Sequence, residues 1–176
     1  MIDCRAKLPI FFKELGFKKG VEVGVFRGEF LAKFCEEGFE MVGVDPWTDD
    51  KMNTMKDAWE PSEDTYQRVA KLLPNCKLIR KTSQEAVKDF ADESLDFVYI
   101  DADHTFGHVA MDLMIWGEKV RKGGAISGHD YNSSGRHLKH MGHAKDAIDA
   151  YAKSYGLTLN VIEGRDKSLS FFMIKQ

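Results

Sequence analysis

The sequence predicts an α/β fold of the doubly wound, Rossmann-like kind, with about seven strands, mostly parallel, and an antiparallel last strand. Three observations predict it. Short apolar runs alternate with amphipathic stretches of helical period along nearly the whole chain. Acidic and glycine residues follow the first apolar run directly, in VEVGVFRGEF. The chain closes on two apolar runs joined by GRDK, a composition suited to a hairpin turn, which reverses the last strand.

The elements follow in order. Arg5 to Leu15 reads as an amphipathic entry helix, KKGVEVGV as a buried strand, EFLAKFCEEG as a helix stopped at Gly38, and FEMVGVD as a strand ending at Asp45. These form a β-α-β unit, for which parallel strands and a right-handed crossover are expected. The pattern repeats through the helix SEDTYQRVAKLL, the strand CKLIRKT, the helix SQEAVKDFA with Ser83 as its expected N-cap, and the near-continuous apolar strand LDFVYID. Then come the helix TFGHVAMDLMIWGEKV, the strand GGAISGHD, the helix AKDAIDAYAKSYG and the closing strands LTLNVIEG and SLSFFMIKQ. No repeat or linker interrupts the chain, so a single domain over 1–176 is expected.

Composition excludes several classes. With 43% hydrophobic and 30% charged residues the chain is globular, not disordered or fibrous. Its 25 basic and 28 acidic residues are mixed along the chain, which offers no broad basic surface, so nucleic acid is not an expected partner. The first residues carry charges among apolar side chains, unlike a signal peptide, and no run approaches a membrane span. A cytoplasmic protein is expected. Cys4, Cys35 and Cys76 are odd in number and widely spaced, which fits reduced thiols.

The chemistry-bearing residues all fall at the carboxyl ends of predicted strands, where open parallel sheets bind their ligands. Glu22, Gly24 and Gly28 stand where the first strand becomes the first helix. Gly24 would let the backbone turn close to a ligand, and Gly28 would let helix pack on strand. The spacing is not GxGxxG, and taken alone it fits an ordinary connection equally well. Asp45 shifts that balance: it ends the second strand 23 residues after Glu22, where a carboxylate can accept both hydroxyls of a ribose. Trp47 then either stacks on a purine or simply packs.

With LDFVYIDADHTF at the fourth strand and RKGGAISGHDY at the fifth, these residues resemble class I S-adenosylmethionine-dependent methyltransferases. The similarity is to the compact group (methyltransferase domain family 24-like) with D-x-D-H after strand four and H-D-Y after strand five, and it runs from about Lys18 onward. The resemblance implies the class I methyltransferase fold and S-adenosylmethionine as cofactor. It places Glu22 and the backbone at Gly24 beside the methionine part, Asp45 at the ribose, Thr82 and Ser83 beside the adenine, and Asp101 at the cofactor's amino group or a divalent metal.

Asp101, Asp103, His104, His129 and Asp130 share the ends of two strands expected to be neighbours. Related catechol-type and sugar-type O-methyltransferases bind Mg²⁺ there with acidic residues, so Asp101, His129 and Asp130 are the candidate metal ligands. His129 stands where the sugar-modifying relatives are acidic, and imidazole suits softer metals than Mg²⁺. Without a metal, His104 or His129, with Asp130, is the candidate catalytic base. All six histidines fall between His104 and His143. His104 and His108 are i, i+4 neighbours, half of a metal site if on one helix face. His137, His140 and His143 suit a polar loop or a substrate entrance. Met52, Met55 and Trp59 suit an opposing apolar lid or local packing.

The expected activity is therefore methyl transfer from S-adenosylmethionine, with an oxygen of a small molecule or carbohydrate as acceptor. The Asn-Pro-Pro-Tyr or Asp-Pro-Pro-Tyr signature of base amino methylation is replaced by IDADH. The acceptor is the main partner expected, with a second copy of the chain left open and no membrane. Two rivals remain: an NAD-dependent or nucleotide-sugar oxidoreductase on a similar sheet, which lacks its glycine spacing and its Tyr-x-x-x-Lys pair here, and a non-catalytic cofactor-binding module.

Overall fold

The computed structural model describes residues 2, 4–48, 62–131, 143–163 and 168–176. A 3₁₀ turn at Arg5–Lys7 leads into α1 (Leu8–Glu14), β1 (Lys19–Val23), α2 (Glu29–Glu36), β2 (Glu40–Val44) and α3 (Ser62–Leu72). Then follow β3 (Lys77–Ile79), α4 (Ser83–Ala86), β4 (Leu95–Ile100), α5 (Phe106–Lys119), β5 (Val120–Gly128), α6 (Ala144–Tyr155), β6 (Asn160–Ile162) and β7 (Ser170–Ile174). The seven strands form one sheet in the order β3-β2-β1-β4-β5-β7-β6. All neighbours from β3 to β5 pair in parallel, and β7 runs antiparallel to both β5 and β6. This is the expected α/β doubly wound sheet with a reversed last strand.

The order of strands decides where a ligand can sit. The chain winds outward from β1 to β2 and β3, then returns to lay β4 on the other side of β1. The two directions part between β1 and β4, and the helices leaving those strands open a crevice over their carboxyl ends.

Each face of the sheet has its own core. On one side Val21, Val23, Val98 and Ile100 pack with Leu113 and Trp116 of α5 and Ile148 of α6. On the other, Phe12, Phe34 and Phe97 interlock, Phe97 lying 4.9 Å from each of the other two rings. Burial on both faces explains why LDFVYI reads as an unbroken apolar run rather than an alternating one.

Three expectations are corrected. Thr82, not Ser83, caps α4: its side chain accepts from the Glu85 amide while Glu85 accepts from the Thr82 amide, a reciprocal capping box. The fifth strand begins at Val120, earlier than GGAISGHD, because α5 runs into it without a loop. Cys35 and Cys76 are joined as a disulfide, their Cα atoms 6.9 Å apart, which leaves Cys4 as the free thiol. The crossover lays the end of α2 beside the start of β3, so 41 residues of sequence separation hid this neighbourhood. The GRDK turn, at 164–167, lies outside the described residues.

Candidate active site

A cleft of about 1140 Å³ opens over the ends of β1, β2 and β4, bordered by Glu22, Gly24, Asp45, Trp47, Thr82, Ser83, Asp101, His104 and His129. The turn after β1 is shaped by Gly24, whose φ is 90° and whose amide bonds the Val44 carbonyl. A Cβ there would come within 2.3 Å of the Asp101 carbonyl oxygen. Gly24 is therefore needed both for its left-handed backbone and for the close approach of β4. Gly28 serves a different contact from the one expected. With φ of 77° it is the N-cap of α2, and a Cβ would press on Val69 of α3 and on Leu73 just after it. It shapes helix packing behind the cleft.

Asp45 ends β2 beside this turn. Its Oδ2 accepts from the amides of Val25 (3.0 Å) and Phe26 (2.9 Å), and its Oδ1 accepts from the Trp47 amide (2.8 Å). The carboxylate thus fixes the β1–α2 turn, and its remaining lone pairs are what it can offer a ribose. Trp47 is buried, donates from Nε1 to the Phe26 carbonyl (3.0 Å) and packs on Tyr66 (5.1 Å), so packing accounts for it without a purine. At the other end of the cleft, Ser83 donates to Asp112 of α5 and accepts from Trp116 Nε1. Burial, first of all, raises the Asp112 carboxyl above its ordinary range, with Ser83 opposing.

Four titratable groups converge where β4 and β5 end. The facing ligand atoms of Asp101, His104 and Asp130 all lie within 4.8 Å of one another. His104 Nε2 stands 3.0 Å from Asp130 Oδ2 and 3.6 Å from Asp101 Oδ1, while His129 Nδ1 is 3.3 Å and 3.7 Å from the same two oxygens. Asp130 is held with a left-handed backbone, φ 56°, a costly conformation of the kind found at sites that must aim a side chain. His104 completes the three-ligand set in the place expected for His129, which stays within reach.

The charges are strongly perturbed. Burial opposes the Asp130 carboxylate, but the hydrogen bond with His129 and the His104 charge bring it down to about 2. Burial also opposes protonated His104, yet the Asp101 and Asp130 carboxylates outweigh it and raise the imidazole above its usual value. Glu22 moves the other way: burial, then the negative charge of Asp101, push its carboxyl well above the carboxylate range, against the pull of Arg5.

Sequence reasoning passed over Arg5, Phe26 and Asp112. Arg5, on the turn before α1, donates to Asp101 Oδ2 at 2.7 Å and lies over the Phe30 ring at 4.1 Å. No local motif marks it, because it reaches the cleft from outside the β-α-β pattern. His104 and His108 do not share a helix face, since α5 starts at Phe106 behind its cap Thr105. His108 instead pairs with Thr105 Oγ1 at 2.8 Å. His143 is exposed and bonds Asp146 at 3.0 Å. His137, His140, Met52, Met55 and Trp59 lie outside the described residues.

Residues 21–131 match the family described as Methyltransferase domain. The chain belongs to this family. Over 120 residues, 62% of its length, it is 28% identical to the uncharacterized protein y4gI of Sinorhizobium fredii, and it spans 13% of that relative. It superposes on an O-methyltransferase from Bacillus cereus in complex with SAH with a TM-score of 0.68 at 13% identity, covering 97% of this chain and 80% of that one. The N-methyltransferase NodS from Bradyrhizobium japonicum superposes with a TM-score of 0.66 at 12% identity, covering 97% and 94%. These similarities show that the fold is the class I S-adenosylmethionine-dependent methyltransferase fold, and the two structures differ in acceptor atom, so the fold leaves the acceptor open. No helix among the described residues is long and apolar enough to cross a membrane.

Proposed function

We propose that this methyltransferase-family chain moves a methyl group from S-adenosylmethionine to an oxygen of a small molecule or carbohydrate. One observation carries the reading. The buried side-chain polar atoms without a hydrogen-bond partner among the described residues are Arg5 Nε, Glu22 Oε2, His104 Nε2 and His129 Nε2, and all four residues border the cleft. Leaving such groups unpaired costs about 1–3 kcal/mol each, so a site that gathers them is built for a ligand that pairs them. The cofactor fits: its ammonium suits Glu22 and Asp101, and the Gly24 turn lets backbone approach it.

When bound, the cofactor supplies an electrophilic methyl on a sulfonium, whose C–S bond breaks as the new C–O bond forms. The chain supplies the rest. The Asp45-pinned turn and Gly24 fix one wall, and the ends of β4 and β5 fix the other. His104 Nε2 takes the acceptor's proton, and Asp130 and Asp101 orient the imidazole and stabilise its charged form.

Asp101, His104 and Asp130 also fit a divalent cation. Two carboxylates and an imidazole favour a borderline metal such as Mn²⁺ over Mg²⁺, and such an ion would lower the pKa of an acceptor hydroxyl. His104 cannot act as base and ligand at once. An oxidoreductase fits less well, because dinucleotide sheets of the 3-2-1-4-5-6 order lack the reversed strand between β5 and β6.

The test is calorimetric titration of S-adenosylhomocysteine, with NAD as control, each with Mn²⁺, Mg²⁺ or EDTA. Turnover of S-adenosylmethionine against a panel of hydroxylated acceptors follows. Binding of S-adenosylhomocysteine but not NAD, with methylated product, supports the reading. Binding without turnover of any acceptor points to a non-catalytic module. Indifference to EDTA assigns His104 as base.

A further inference from the structure

Arg5 is the basic side chain brought against the acidic end of the cleft. Its guanidinium donates through Nη2 to Asp101 Oδ2 at 2.7 Å, and its plane is clamped on Phe30 at 4.1 Å, with Tyr99 at 5.3 Å. Its side chain is 23% exposed, and Nε is buried with no hydrogen-bond partner among the described residues. A guanidinium carries five N–H donors in a rigid fork, so the single bond to Asp101 leaves donors available. Glu22, buried beneath the same cleft, likewise has Oε2 without a hydrogen-bond partner among the described residues. An unused donor edge of a fixed cation and an unused acceptor of a buried acid thus border one cavity.

We propose that Arg5 is the residue that binds the α-carboxylate of the cofactor's methionine end, while Glu22 and Asp101 accept from its α-ammonium. This rests on the cofactor reading above and adds to it a recognition element lying outside the β-α-β pattern. An α-amino acid zwitterion carries both charges on one carbon. It therefore needs a cation and an anion side by side at the wall, which is what the Arg5–Asp101 pair provides. The pair need not break on binding. Each Asp101 oxygen has two acceptor positions, and Arg5 keeps donors beyond the one Asp101 takes. Packing on Phe30 fixes the fork before the ligand arrives, which lowers the ordering cost of a long side chain. Arg27 and Lys33 also border the cleft, and Arg27 lies 5.0 Å over Phe26 at the exposed rim.

The experiment compares two ligands on wild-type protein and on Arg5→Gln and Arg5→Lys by calorimetry. One ligand is S-adenosylhomocysteine. The other is its decarboxylated analogue, which keeps the adenosine, the sulfur and the amine. Wild type is expected to prefer S-adenosylhomocysteine, and Arg5→Gln to weaken it roughly 10- to 100-fold, the range for losing charge-assisted hydrogen bonds. The same substitution should change the analogue's affinity less than about threefold, with Arg5→Lys falling between. Equal loss for both ligands, or for neither, overturns the assignment and makes Arg5 a structural partner of Asp101. Failure of wild type to bind either ligand overturns the cofactor reading itself, a different result from equal binding of both. Thermal melting of each variant identifies any loss due to unfolding, and the ratio of the two affinities within one variant cancels a partial loss of folded protein.

Discussion

The backbone of Gly24 packs against the carbonyl of Asp101 so closely that a Cβ would lie 2.3 Å from that oxygen. The loop after β1 and the end of β4 are thereby one unit: the turn that borders the cleft cannot move without the strand that carries Asp101. Gly24→Ala adds the cost of a left-handed φ to a clash with backbone, neither of which a rotamer change relieves. It should lower stability by at least about 2 kcal/mol and weaken S-adenosylhomocysteine binding with it. Urea unfolding followed by tryptophan fluorescence checks the first, and an unchanged midpoint would contradict this account of the turn.

Asp45 leads to a different separation of effects. A carboxylate that only held a ribose could be removed without touching the folded protein. Here it accepts from three backbone amides of Val25, Phe26 and Trp47. Asp45→Ala should therefore cost about 2 kcal/mol of stability in the absence of any ligand, besides weakening cofactor binding. A variant that melts like wild type while losing affinity would return Asp45 to a purely ligand-facing role.

Much of this arrangement was legible in the sequence, and the reasons differ by residue. Glu22, Asp45, Asp101 and Asp130 could be placed because strand ends in a parallel sheet share one edge, so a one-dimensional pattern fixes a three-dimensional neighbourhood. Gly28 was assigned the wrong contact: a glycine at the start of a helix is visible in sequence, but its positive φ and the α3 side chain of Val69 that it faces are not. Ser83 was read as the cap although Thr82 is the hydroxyl that precedes Glu85 by three, a capping-box spacing that the sequence itself displays. Arg5, Asp112 and the Cys35–Cys76 pair depend on contacts between elements far apart in sequence, where no spacing rule applies.

Away from the cleft, Asp96 joins β4 to the entry of β1. Its Oδ2 accepts from the Lys18 and Lys19 amides at 2.7 and 2.9 Å, and its Oδ1 accepts from Arg121 Nε at 2.7 Å. Burial opposes the charge, but these donors outweigh it and hold the carboxyl below its ordinary value. A depressed folded-state pKa means that the unfolded chain binds the proton more readily. The contribution is thus complete above the unfolded value, about 3.9, and is lost as pH falls through the folded one. Asp96→Asn should cost about 2 kcal/mol at pH 7. The difference from wild type should shrink as the pH is taken below 4. Urea titrations of both proteins across that range test it, and a gap that stayed constant to acid would show that the carboxylate's charge plays no part.

His104 is the residue on which the proposed chemistry turns, and its partners make the prediction specific. Nε2 stands 3.0 Å from Asp130 and 3.6 Å from Asp101 at the border of the cleft, where the two carboxylates favour a proton added to it. His104→Gln should leave S-adenosylhomocysteine affinity within about threefold and lower kcat by about 10²-fold or more, as expected when a general base is removed. His143, exposed and bonded to Asp146 at the start of α6, serves as the comparison: His143→Gln should leave kcat unchanged. A His104→Gln enzyme with full kcat but a raised KM for the acceptor would mean that the imidazole only positions the acceptor, and that the proton leaves by another route.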